Sequence, residues 1–194
     1  MKIYQPLVVF AATALLTLGA YSQKIKVTDG SLDVLKSEKD INIEYSYNNL
    51  AVGKFDKEAD YVKNKTEELN KKEAGKGDKW AAAWVADRKN RFEPKFNELF
   101  TKTGEFNFDY KAKYTILFNT IFVEPGYNIG ISAKNAYINA EFVIVETANR
   151  AKVLAKGTLN KAPGRSFWGN DFDTGERISE AYAMAGKALA KKIK

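Results

Sequence analysis

Three features of the chain predict an α+β domain, an antiparallel β-meander sheet packed by helices with a C-terminal helix lying on the sheet. Two long apolar runs of β type, Tyr114–Val123 and Ala136–Glu146, flank a turn-rich connection, and a shorter run follows at Ala151–Leu159. Lys- and Glu-rich segments with helical spacing precede them. An Ala-rich helical stretch closes the chain. At 194 residues, 45% hydrophobic and 13% aromatic, the chain can bury the core of one such domain.

The first residues have the layout of a secretory signal peptide. Lys2 is the positive start, Leu7–Leu18 the apolar stretch and Ala20-Tyr21-Ser22 the small-residue cleavage signal. The apolar run is short for a bilayer span. The expected division is a signal peptide over residues 1–23 and a single domain over residues 24–194. The protein is then exported to the periplasm or the extracellular space, with no transmembrane segment after cleavage.

Two runs open the domain. Lys24–Leu35 and Ile41–Tyr47 read as strands, the second because Ile41, Ile43, Tyr45 and Tyr47 alternate with polar residues. They either pair with each other or extend the meander. Asp56 is placed to cap a helix over Lys57–Lys72, whose apolar stripe of Ala59, Val62 and Leu69 is narrow. Glu73–Lys79 breaks that helix and lacks the spacing of a phosphate-binding loop.

Asp78 then caps a second helix in which Trp80, Trp84, Val85, Arg88 and Phe92 recur at helical spacing. Trp80 and Trp84 suit either a core or a carbohydrate-stacking surface, and a Trp pair on a helix is more commonly core. Pro94 fits the first turn of a continuing or restarted helix carrying Phe96, Leu99 and Phe100 and ending at Gly104.

Phe106, Phe108 and Tyr110 alternate with polar residues, which predicts a strand running through Lys111–Lys113 into Tyr114–Val123. That longer run is apolar on both faces, as expected of a central strand covered on both sides. Glu124-Pro125-Gly126-Tyr127-Asn128 supplies turn chemistry. On the return strand Ile138, Ala140, Phe142 and Ile144 face the core, and Thr147–Arg150 turns into the third strand.

Lys161–Asp173 is the most irregular stretch and mixes aromatic, charged and Gly/Pro residues, a composition that suits a binding loop. Arg165, Trp168 and Asn170 are the candidate binding residues, with Tyr127 and Tyr137 as outlying choices. Phe167 and Trp168 can instead tuck under the sheet. Asn170, Asp171, Asp173 and Glu176 are oxygen ligands, but their spacing is not that of a calcium loop, and Asp173 with Glu176 fits a capping box. No metal site, cofactor or catalytic residue is assigned. The closing helix, Gly175–Lys194, carries Ile178, Ala181, Ala185, Ala188, Leu189 and Ile193 on one stripe, too Ala-rich for strong membrane insertion and suited to packing on the sheet.

What is missing narrows the chemistry. The chain has no Cys and no His, which excludes disulfides, thiolate or imidazole metal sites, a Cys nucleophile and a Ser-His-Asp triad. The formal net charge of +7 lies along Lys- and Glu-rich helical faces rather than in an Arg cluster. It reads as solvated surface.

The segment GDKWAAAWVADRKNRFEPKF, the EPG turn between two long strands and the Ala-rich helix after GNDFDTGE resemble an uncharacterised family of small exported Gram-negative bacterial α+β proteins, a domain of unknown function. More distantly, the last half is similar in layout to envelope domains of outer-membrane assembly and secretion accessory proteins. The resemblance brings no catalytic motif.

The leading expectation is an exported, soluble, non-enzymatic binding or envelope-accessory protein. Its partner would be an envelope protein or an anionic glycan or lipid, and not nucleic acid. One alternative is a carboxylate-based glycoside hydrolase using two of Glu124, Glu141, Asp171 and Asp173. Another is a basic protein docking on anionic polysaccharide or lipid surfaces through its lysines.

Overall fold

The computed structural model describes residues 23–128, 132–164 and 174–194. In chain order come β1 (Lys24–Gly30), a 3-10 turn (Leu32–Leu35), β2 (Asp40–Ser46), β3 (Ala51–Val52), α1 (Glu58–Lys72) and α2 (Lys76–Asp87). A π-helical turn (Arg88–Phe92) leads directly into α3 (Glu93–Gly104). There follow β4 (Asn107–Phe108), β5 (Tyr114–Glu124), β6 (Tyr127–Asn128), β7 (Ala133–Lys134), β8 (Ala136–Glu146), β9 (Asn149–Gly164) and α4 (Thr174–Ile193).

The expected meander is there: β5, β8 and β9 pair antiparallel in sequence order, with β1 antiparallel on the outer edge of β9. The sheet as a whole is mixed, which corrects the purely antiparallel expectation. β2 and β3 pair parallel with β5, and β4 pairs parallel with β2. Three helices separate β2 and β3 from β5, and a crossover of that kind returns the chain running in the same direction.

The two opening runs neither pair nor lie side by side, because β1 and β2 flank opposite sides of the meander in the order β1-β9-β8-β5-β2-β4. The first run also stops early. Gly30 turns at φ +68, and Ser31 Oγ accepts the Asp33 amide at 3.1 Å to start the 3-10 turn.

Other boundaries move for local reasons. The residue capping α1 is Lys57, without a side-chain bond, so Asp56 does not cap it. Gly75, at φ 77, precedes α2, which puts Asp78 inside the first turn. The strand expected from Phe106 shrinks to Asn107–Phe108. Asp109 accepts the Lys111 amide at 2.8 Å in a side-chain turn, which ends the pairing.

Pro94 continues the helix. It has no N–H to offer and crowds the carbonyl four residues back, and the π turn just before it, with the Glu93 amide reaching Arg88 O, loosens that spacing.

The helices gather on one face of the sheet. Ile116 and Phe118 of β5, Ile138, Ala140, Phe142 and Ile144 of β8 and Leu159 of β9 are buried beneath them. On the other face Leu117, Ile121 and Val143 are only half-buried while Thr115 and Val145 are buried at one end, so β5 is central to the sheet and only partly covered on its second side. α4 buries Ile178, Ala181, Tyr182, Ala185, Leu189 and Ile193, with Ala188 half-buried at the margin of the stripe. A side chain at Gly186 would run into the backbone of Phe96, so this glycine sets how closely α3 and α4 pack. Burying roughly 1.5–3 kcal/mol per large side chain, this layer is the main source of stability.

Trp84 is buried and Trp80 half-buried, and both rings pack against Tyr61 of α1, so the Trp pair belongs to the helix layer. A partly buried polar cluster ties the layer together. Trp84 Nε1 donates to Glu58 at 2.7 Å, and Tyr47 Oη donates to Glu93 at 3.3 Å. Tyr182 Oη shares a 2.6 Å bond with Thr120. Among the described residues no helix is long and apolar enough to cross a membrane.

Candidate functional site

The turn after β5 backs one wall of a cleft, the stretch over residues 133–137. Pro125 and Gly126 reverse the chain, with Gly126 at φ +65 in a conformation that favours glycine. Glu124, buried at the end of β5, accepts the Gly126 amide at 3.2 Å and the Lys134 ammonium at 2.5 Å. The hydrogen bond to Glu124 raises the Lys134 ammonium above its ordinary value of 10.5. Arg177, buried near the start of α4, donates to Pro125 O at 3.1 Å and Thr174 Oγ1 at 3.2 Å. The turn is thereby clamped to the helix layer.

The opposite wall is the far end of β9. The β8–β9 register shifts between Ile138 and Ala140. Beside that bulge Lys161 sits at φ 54, in left-handed backbone that is uncommon for lysine. Its amide donates to Asn139 Oδ1 at 2.8 Å, which holds the bulge in shape. Pro163 pairs with Tyr137, and the Tyr137 ring stacks on Phe122 at 5.4 Å and 27°.

Between the walls lies a cavity of about 290 Å³, lined among the described residues by residues 133–137, Lys161 and Pro163. The lining combines two ammonium groups, a backed aromatic ring and the Asn135 amide, with Ala and Pro surface between. It offers no nucleophile beside a base. Cations next to an aromatic surface are equipped to hold a polar, anionic ligand.

Two of the residues expected from sequence, Tyr127 and Tyr137, come to this end of the molecule. Tyr137 lines the cavity. Tyr127 is exposed on the rim and its hydroxyl lies 3.3 Å from Ser132 Oγ. Arg165, Trp168 and Asn170 lie outside the described residues, as do Phe167, Asp171 and Asp173. The stretch taken as a loop from Lys161 begins instead as strand, since β9 runs on to Gly164, which pairs with Ala136 beside the cavity.

Sequence reasoning missed Lys134 and singled out Lys161 only as the edge of a loop. Neither carries a signal. Lysine does not favour left-handed backbone, and nothing near Lys134 announces its partner ten residues earlier.

Glu124 and Glu141, the two glycosidase candidates among the described residues, do not form such a pair. Glu124 faces Tyr137 across the ladder, and Glu141 lies four residues further along β8, a backbone separation of about 13 Å. Carboxyl groups in such enzymes stand roughly 5–9.5 Å apart. Glu124 is also engaged by Lys134, and Glu141 is exposed. Among the described residues no cluster of acidic side chains could hold a metal ion.

No family model matches the chain, and no curated protein matches it. Among solved structures it is similar to a PelC dodecamer from Paraburkholderia phytofirmans, at 11% identity and a TM-score of 0.38, covering 87% of this chain and 97% of that one. A variant of the same protein in a second crystal form gives 11% identity and a TM-score of 0.37, covering 84% and 97%. The likeness is loose, and no property is carried over from it.

Proposed function

We propose that the protein is an exported, non-enzymatic binding protein that holds a small polar ligand in the cleft between the β5–β8 turn and the end of β9. The cleft itself carries the reading: a cavity of about 290 Å³ faced by Lys134, Lys161 and Tyr137. Its rim is braced by Arg177 on one side and the Asn139-bound bulge on the other. Such bracing keeps a site open and pre-shaped, which lowers the ordering cost of binding. Export rests on the charged, apolar and small-residue order of the first 23 residues.

Native mass spectrometry of the mature chain, purified gently from its own host's envelope fraction, tests this. A small additional mass should be retained by the protein and lost from Tyr137→Ala. A bare chain from every preparation would remove the reading.

A further inference from the structure

The sheet face turned away from the helices carries a charge pattern that complements itself. We propose that the protein forms a weak two-fold dimer through this face, with Leu117 of one copy against Val143 of the other and Glu44 against Lys156. The proposal goes beyond the cleft and does not depend on it.

The ladder fixes which side chains share the face. Glu44, Leu117, Val143 and Lys156 stand in one row across β2, β5, β8 and β9. Ser46, Asn119, Glu141 and Thr158 make the next row. The middle of the first row is apolar and half-buried, and its two ends carry opposite charge. Lys156 and Glu141 are exposed, and neither forms an ion pair among the described residues, although Asp29 stands beside Lys156 across the β1 ladder. Glu44 is held by Arg150, which reaches each carboxylate oxygen at 2.6 Å, yet 43% of its side chain is exposed. A carboxylate accepts more than two donors, so Arg150 fixes Glu44 in place and leaves it open to a second cation.

Symmetry selects the arrangement. Sheets stack face to face about 10 Å apart with their strands nearly aligned. A two-fold axis running along the strands between β5 and β8 sets β5 of one copy on β8 of the other, and β2 on β9. Leu117 then meets Val143, Glu44 meets Lys156 and Asn119 meets Glu141, each contact occurring twice. An axis across the strands would lay each strand on its own copy. Lys24, Lys26 and Lys156, which share the β9–β1 side of this face, would then confront like charges.

The area sets the strength. Four strands at a spacing of about 4.8 Å, each contributing roughly six residues at about 3.4 Å, make a face of roughly 20 by 20 Å. That is at the small end for specific interfaces, so the dimer should be weak and grow in with concentration.

The test is sedimentation of the mature protein from micromolar to near-millimolar concentration, with zero-length carbodiimide coupling of lysines to carboxylates and mass identification of the linked peptides. Within one copy Lys156 and Glu44 lie three strands apart, about 14 Å between backbones, which is beyond a direct bond between the two side chains. A Lys156–Glu44 link therefore forms only between copies. The expected result is a dimer that appears as concentration rises, weakens with salt and yields this link. Lys156→Glu, an exposed change that leaves the core untouched, should weaken the dimer about tenfold, because two contacts turn repulsive at once. A monomer throughout the range would overturn the proposal. So would a dimer that lacks the link and is indifferent to Lys156→Glu. Neither result bears on the cleft, whose own test is the retained mass.

Discussion

Arg88 reaches both carboxylate oxygens of Glu58 through one guanidinium nitrogen, at 2.5 and 2.5 Å, and lies 4.1 Å from the centre of the Tyr47 ring. One side chain on the π turn thus joins α1 to the chain just past β2. Glu58→Ala would leave both Arg88 and the Trp84 N–H without their acceptor. Since Glu58 and Arg88 are about one-fifth exposed, water recovers part of the loss, and about 2 kcal/mol is expected in urea unfolding. Glu58→Gln, which can still accept from Trp84, should lose less.

Gly186 sets the spacing of α3 and α4. Gly186→Ala would press a methyl group against the Phe96 backbone, which has no rotamer by which to escape. The expected cost is about 2 kcal/mol, seen as a Tm lowered by roughly 4–8 °C in a thermal scan. An unchanged Tm would mean that the helices can slide apart freely.

Burial, the largest cause in each case, pushes the phenols of Tyr45, Tyr47, Tyr61 and Tyr182 above their ordinary value of 10.0, Tyr61 to about 12. The folded state therefore holds these protons more tightly than the unfolded chain does. The associated stability is fully present below pH 10 and is lost as pH rises through the folded values. Tyrosinate absorbance should reach its full value only as near-ultraviolet circular dichroism collapses, because these four phenols ionise only then. Ionisation of every tyrosine near pH 10 in a still-folded protein would contradict this packing.

Lys161→Gly removes both the cation and the left-handed strain at the bulge. Stability should hold or rise by up to about 1 kcal/mol, because glycine accepts φ 54 without penalty. Ligand binding should fall, as measured by parallel thermal and calorimetric titrations. A large loss of stability would show that the Lys161 side chain itself props the cleft.

Much of the fold was legible because it rests on periodicity. The alternation of Ile138, Ala140, Phe142 and Ile144, and the closing stripe from Ile178 to Ile193, fixed one buried face of β8 and one of α4. The parallel placement of β2 on β5 was not legible, since Ile41, Ile43 and Tyr45 alternate identically in either pairing direction. The partial cover of the second face was hidden because Leu117 and Ile121 are apolar yet only half-buried. Of the cleft, aromatic content pointed to Tyr127 and Tyr137. Lys134 and Lys161 depend on a ten-residue-distant ion pair and on a bulge, neither of which leaves a residue pattern.

The most direct test of the cleft as the binding site is amide chemical-shift mapping on the mature domain during titration with the small molecule that native mass spectrometry finds retained. The expected shifts cluster at Lys134, Tyr137 and Lys161, saturate together, and vanish in Tyr137→Ala. Saturating shifts confined to the helix layer or to the far end of the sheet around Glu44 and Arg150, with the cleft silent, would contradict it.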